Sequence, residues 1–257
     1  MPSGKEYYYI ASLDKGLRVL ELLAEGGAMH VSRIAAALGY NRASAHRFVS
    51  TLKDLGYVHQ NADGKYELTF KILELSTKLA NRFEIRKNAS TFMRRLSAEF
   101  HETINLGFLD HCEVVHIDKI DSPELLRPDP EIGSRAPAQA TALGKAILAF
   151  LPQEELTEFL HLVRWKTPTP TTCSGPGDLM QQLTLIRECG YATDNEELCL
   201  GLRCVAVPIF DHREYPRYAI SISGPSMRMS AQRMKDMSRE LLSVGHSLSR
   251  RLQQVGG

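Results

Sequence analysis

Over residues 13–55 the apolar positions return every three or four residues in three short runs, and over residues 57–68 they alternate instead. The first spacing predicts helices, the second a pair of strands. Leu13, Leu17, Leu20 and Ala24 share one helical face in a run that stops at Gly26-Gly27, and Val31, Ile34, Ala35 and Leu38 share the face of a shorter run that Gly39 ends. Ala45, Phe48, Val49, Leu52 and Leu55 form the stripe of a third helix. Asn41 is placed to cap it, and Arg42, His46, Arg47, Ser50 and Lys53 are left outward. Residues 57–60 and 65–68 flank Asn61-Ala62-Asp63-Gly64, whose Asp-Gly pair marks a hairpin. Three short helices closed by a hairpin follow the order of a winged helix-turn-helix. That module sets the first turns of its third helix against base edges while other elements grip phosphate. The candidate contacts to double-stranded DNA are Arg42, Ser44, His46 and Arg47 on the third helix, Arg33 on the second and Lys65 in the wing.

The pattern then changes. Residues 70–82 read as a further helix whose apolar stripe, Leu73, Leu75 and Leu79, is too narrow to be buried alone, and a helix over 91–100 follows. Alternating runs predict strands at 103–109 and 113–120. A Pro- and Gly-rich stretch over 123–137 reads as loop with short strands. Thr141 opens a helix over 142–151 that Pro152 ends; helices follow at 153–162 and 178–189, strands at 203–210 and 217–223, and an amphipathic helix over 230–252. This mixture is α+β. With 257 residues and 43 % hydrophobic content the chain can bury two cores. The expected organisation is a DNA-binding domain over 1–69, a linker helix over 70–88 and an α+β domain over 89–257.

A net charge of +1 supplies no global basic field, so affinity for nucleic acid has to come from a local patch. The N-terminus lacks the apolar core of a signal peptide, and no run reaches the roughly 18 apolar residues of a membrane helix. Five cysteines, at 112, 173, 189, 199 and 204, form no Cys-x-x-Cys pair and suit reduced thiols. Both features point to the cytoplasm and away from a membrane partner.

Four segments together resemble the IclR family of bacterial transcription regulators: Arg42-Ala43-Ser44-Ala45-His46-Arg47; Pro137-Ala138-Gln139-Ala140-Thr141-Ala142-Leu143-Gly144-Lys145; Gly190-Tyr191-Ala192-Thr193-Asp194-Asn195-Glu196-Glu197 followed by Gly201-Leu202-Arg203-Cys204; and Ile220-Ser221-Ile222-Ser223-Gly224-Pro225. The resemblance implies a winged helix-turn-helix, a linker helix and a C-terminal GAF-like domain with an antiparallel sheet that binds a small molecule. Homodimers or tetramers are implied as well. The chain departs from the family pattern at three places. His30 and Arg33 replace the usual capping box of the second helix, Ala43 replaces a hydroxyl residue, and Ala138-Gln139 replaces a large apolar residue followed by His or Tyr, which points to an altered pocket wall.

The residues of the α+β part suggest what is bound. Ser221 and Ser223 share a strand face with Ala219, opposite Tyr218, Ile220 and Ile222; Cys204 and Ala206 repeat that small face opposite Val205, Val207 and Ile209. Two such strands leave room for a cavity floored by a thiol and hydroxyls. With Thr141 as cap, the free N–H groups of Ala142 and Leu143 favour an anion, and Asp194 can accept from hydroxyls at the other end. The expected effector is a small organic acid, sugar-derived among the options, held by Ala142, Leu143, Asp194, Cys204, Ser221 and Ser223. Gly144-Lys145 lacks the upstream glycines of a phosphate loop, so Lys145 reads as a surface lysine or a salt-bridge partner. His111, Cys112 and His116 lack paired-ligand spacing, and no metal or cofactor is expected. Two other readings remain open: a thiol or metal sensor with Cys199 and Cys204 as reporters, and, behind it, a small-molecule enzyme. No Gly-x-Ser-x-Gly elbow and no base beside the thiol support catalysis.

Overall fold

The computed structural model describes residues 9–80 and 84–255. The chain divides into two units, Met1–Arg82 and Phe83–Gly257.

The first unit holds α1 (Ala11–Gly26), α2 (Val31–Leu38), α3 (Arg42–Asp54), a hairpin of β1 (Val58–Gln60) and β2 (Tyr66–Leu68), and α4 (Lys71–Ala80). Its core gathers Val19 and Leu23 of α1, Ile34 of α2, Val49 and Leu52 of α3, and Val58 and Tyr66 of the hairpin. Leu13 and Leu17 were expected on the buried face of α1, yet they are exposed. They precede the turn of α1 that meets the core, so Val19 and Leu23 carry the packing. Gly64, at φ 77°, lets the hairpin turn, and Asn61 Oδ1 accepts the N–H groups of Asp63 and Lys65 inside it. Lys71 fixes the start of α4 to the wing: its Nζ donates to the Leu55 carbonyl at 2.6 Å and lies over the Tyr57 ring. Leu73 and Leu75 of α4 are exposed, as a stripe too narrow to bury itself requires. The Leu79 side chain and residues 81–83 of the expected linker lie outside the described residues.

The second unit begins with α5 (Glu84–Phe100), so residues 84–88, placed in the linker on sequence grounds, form its first turns. Ile85 and Ala89 on those turns are buried. A six-stranded antiparallel sheet follows, in the order β5-β4-β3-β8-β7-β6, from β3 (Thr103–Asp110), β4 (Glu113–Ile120), β5 (Arg135–Pro137), β6 (Ala192–Asn195), β7 (Leu202–Phe210) and β8 (Pro216–Pro225). On one face α5 and α9 (Ala231–Val255) pack against Ile104, Val205, Val207, Ile220 and Ile222. The other face carries α6 (Ala142–Leu148), α7 (Gln153–Leu162) and α8 (Pro176–Cys189), with a 3-10 turn at Ala138–Ala140. Period-two alternation along β7 and β8 thus sends the branched residues to one layer and Cys204, Ala206 and Ala219 to the other. The unit is α+β, as the sequence pattern implied.

Gly144 shows why α6 begins as it does. A Cβ there would land on the Ala138 carbonyl and Cα, so only glycine lets α6 lie directly against the 3-10 turn. Ala138 and Gln139 therefore sit behind α6. They are not part of the cavity wall expected of them; Gln139 Nε2 instead donates to the Arg164 carbonyl.

Candidate functional site

Asn41 caps α3, its Oδ1 accepting the Ser44 N–H at 2.7 Å. Ala45, Val49 and Leu52 turn inward, which leaves Arg42, His46 and Arg47 exposed in the first two turns. Ser44 is half-buried and borders a groove with Leu13 and Leu17 of α1, so it lies at the flank of the face that carries Arg42 and His46. Arg33 is exposed on α2 and Lys65 half-buried in the wing. His30 gives α2 no side-chain cap, in line with the missing capping box. Among the described residues Arg33, Arg42, Arg47 and Lys65 make no ion pair. Four cations without acidic partners on a module of this shape are available to phosphate and to the guanine edge.

In the second unit all six residues singled out for a small molecule, Ala142, Leu143, Asp194, Cys204, Ser221 and Ser223, border one cavity of about 280 Å³. Strand register explains this: Asp194 of β6 faces Cys204 of β7, Cys204 faces Ser223 of β8, and Ser221 faces Asn105 of β3. Opposite partners on antiparallel strands point to the same side, so four strands contribute to one floor. Thr141 roofs it by capping α6: its Oγ1 accepts the Gly144 N–H at 3.1 Å, and the first backbone bond of the helix comes from Lys145. Ala142 and Leu143 precede that bond and border the cavity, and the first N–H groups of a helix have no partner within it.

Asp194 is almost fully buried, and its Oδ1 accepts the Glu197 N–H at 2.7 Å. Burial pushes its carboxyl up to about 6, against the opposing pull of that N–H and of Lys145. The bend it belongs to is held open at Glu196, φ 63°, where the Thr169 and Thr171 hydroxyls each donate to the Glu196 carbonyl at 2.7 Å. Cys204 is buried, which raises its thiol far above the usual range and keeps it protonated. A thiol in that state is a poor nucleophile and a poor redox reporter, and Cys199, its proposed partner, is exposed.

Two polar residues of this floor escaped the sequence reading. Asn105 interrupts an apolar strand, and only the pairing of β3 with β8 brings it to the serines. His116 of β4 also borders the cavity; burial and Lys119 hold its imidazole below the ordinary value and therefore neutral. Its former companions go elsewhere. His111 pairs with Asp110, and Cys112 packs on the helical layer. Pro128, Asp129 and Pro130 of the loop also border the cavity, with Lys119 paired to Asp129 and Thr103 donating to the Pro128 carbonyl.

Residues 12–62 match the IclR helix-turn-helix domain, and residues 77–250 match the family described as bacterial transcriptional regulator IclR, C-terminal. The transcriptional regulator KdgR of Dickeya chrysanthemi is 37 % identical over 96 % of this chain and 80 % of its own length. KdgR of Escherichia coli is 35 % identical over 96 % and 93 %. Among solved structures, IclR of Thermotoga maritima superposes with a TM-score of 0.82 at 33 % identity, covering 95 % of this chain and all of the other. The C-terminal domain of E. coli KdgR covers 66 % of this chain and 99 % of its own at a TM-score of 0.61 and 36 % identity. No helix among the described residues is long and apolar enough to cross a membrane. These relatives are regulators rather than enzymes, and the chain belongs to the IclR family of bacterial transcription regulators, with a DNA-binding helix-turn-helix at its N-terminus.

Proposed function

We propose that the protein binds operator DNA as a dimer and that a small organic acid in the cavity of the second unit sets its affinity for that DNA. The observation that carries this reading is the cavity itself, lined by Ala142 and Leu143 from the first turn of α6, by the buried carboxyl of Asp194 and by the hydroxyls of Ser221 and Ser223. The N–H end suits a carboxylate, and Asp194 suits a hydroxyl donor at the other end. A sugar-derived acid has both. Arg42, His46 and Arg47 approach base edges in this reading, while Arg33, Ser44 and Lys65 hold phosphate. One short helix reads few bases, so two copies on a pseudo-palindromic site are required. Leu13, Leu17, Leu73 and Leu75, exposed on α1 and α4, offer apolar surface for the pairing.

The test is thermodynamic linkage. Coupling of about 1–3 kcal/mol shifts DNA affinity roughly five- to 150-fold, and operator must shift acid affinity by the same factor. Calorimetric titration of D-gluconate and D-glucuronate into the protein, with and without a duplex from its own promoter, measures both sides. Acid binding that is indifferent to the duplex would sink the regulatory reading.

A further inference from the structure

The floor of the cavity carries an ordered set of donors and acceptors. Asn105 is 2 % exposed, and its Nδ2 donates to Ser223 Oγ at 3.1 Å and to Ser221 Oγ at 3.4 Å. An amide nitrogen has two hydrogens, and these two bonds use both. Two consequences follow. Each serine oxygen has accepted one bond; Ser221 keeps its own O–H to give, whereas the Ser223 hydroxyl is engaged with the Cys204 sulfur. Asn105 Oδ1, an acceptor, is buried without a partner. Across the floor Asp194, 1 % exposed, repeats the situation, with Oδ1 engaged by Glu197 and Oδ2 buried without a partner. From β3 through β8 and β7 to β6 the order is therefore unpaired acceptor, one free hydroxyl donor on Ser221, a hydroxyl on Ser223 shared with Cys204, unpaired acceptor.

The two unpaired oxygens sit on strands three intervals apart, roughly 14 Å between backbones, so no single hydroxyl meets both. A ligand that satisfies them needs donors on separate carbons, and an acceptor between them for the Ser221 hydroxyl. A hydroxyl gives and takes at once; a chain of hydroxyls matches the row, whereas an oxo acid or a fatty acid leaves both oxygens unpaired. His116, one strand beyond Asn105, adds a neutral ring whose Nδ1 is also buried without a partner.

We propose that Asn105, with His116 behind it, determines the specificity of this site, selecting a polyhydroxylated acid by pairing one hydroxyl with Asn105 Oδ1 while a second pairs with Asp194 Oδ2. This rests on the cavity being the effector site. Leaving a buried acceptor unpaired costs roughly five- to 150-fold in affinity for each hydroxyl the ligand lacks.

Three probes of the full-length protein near neutral pH decide it: D-gluconate, hexanoate of the same chain length without hydroxyls, and pyruvate. Gluconate binds at least tenfold more tightly than either, by calorimetry. Asn105→Leu, close in volume, abolishes that preference and leaves hexanoate unchanged or tighter, and His116→Phe weakens gluconate selectively. The wild-type ratio needs no variant, so a poorly folding Asn105→Leu does not rescue the idea. Hexanoate or pyruvate binding as tightly as gluconate overturns the specificity assignment, and so does an Asn105→Leu protein that keeps the preference. If those acids still change operator affinity, the regulator reading stands while this one falls. Failure of all three acids to bind overturns both.

Discussion

The Nζ of Lys145 lies 2.5 Å from Oε1 of Glu197, with both side chains withdrawn from solvent. Gln182 of α8 accepts a second bond from the same ammonium at 2.7 Å. This pair ties two lining elements of the cavity together. Lys145 belongs to α6, whose first residues border the cavity, and the N–H of Glu197 holds Asp194, which borders it too.

Removing one partner of such a pair strands the other charge in the interior. Lys145→Met should therefore destabilise the second unit by about 3–5 kcal/mol, and adding Glu197→Gln should recover much of that loss. Urea denaturation followed by the fluorescence of Trp165, the sole tryptophan, reads it directly because that ring packs on the same core. A single variant as stable as the wild type would mean that the pair is solvated.

What was legible in the sequence was local. The cap at Asn41, the turn at Asp63-Gly64 and the alternation of Ser221 and Ser223 with Ile220 and Ile222 each depend on neighbours a few residues away, and the structure has all three. The rest depended on distant partners. Lys145 could be read as a surface lysine or an ion-pair partner until Glu197, 52 residues on, was placed beside it. The strand β6 was missed because Asp194 and Asn195 have poor intrinsic strand preference and are held by pairing with β7. Asn105 and His116 belong to the cavity only through register. On α1 the spacing was helical, but spacing alone did not say which turns the core would cover.

Arg42→Ala and Arg47→Ala should each weaken operator binding. Where the arginine reads guanine the loss is about 1–3 kcal/mol and depends on the base; where it holds phosphate the loss is uniform over sequences and the salt dependence becomes shallower by about one unit of slope. Mobility shifts at several salt concentrations separate the two. Unchanged binding in both variants would move the interface off this face of α3.

Gly144→Ala tests the seat of α6. The added methyl collides with backbone at Ala138, which cannot swing aside as a side chain could. An overpacking cost of about 1–3 kcal/mol is expected, together with weaker acid binding, since α6 carries Ala142 and Leu143 away from the floor as it shifts. Thermal melting and gluconate titration check the two effects. A variant with wild-type stability would show that the 3-10 turn yields freely.

We place the working boundary of the effector unit at residue 84. A fragment of residues 84–257 keeps Ile85, which is 1 % exposed in the core against α9, whereas one of residues 89–257 loses it. The shorter fragment should fold but be less stable by about 2–5 kcal/mol, the usual cost of deleting a large buried aliphatic side chain. Equal stability of the two would put the boundary beyond Ala89.

Asp194 gives the unit a pH dependence whose sign is fixed by the direction of its shift. Its carboxyl titrates at about 6 in the folded chain and near 3.8 when unfolded, so the folded state binds the proton more tightly. The stability it contributes is complete below about pH 4, falls as the pH rises through about 6 and is absent above, a swing of about 3 kcal/mol. Asp194→Asn keeps an oxygen for the Glu197 N–H and removes the ionisation. Between about pH 4 and pH 8 the variant should therefore gain about 3 kcal/mol on the wild type in the absence of ligand, measured as the difference of two urea titrations at each pH. Groups not coupled to Asp194 titrate equally in both proteins and cancel in that difference. A gap between the two that stays constant with pH would show that Asp194 is already ionised at the acid end, and that the cavity is wetter than its burial indicates.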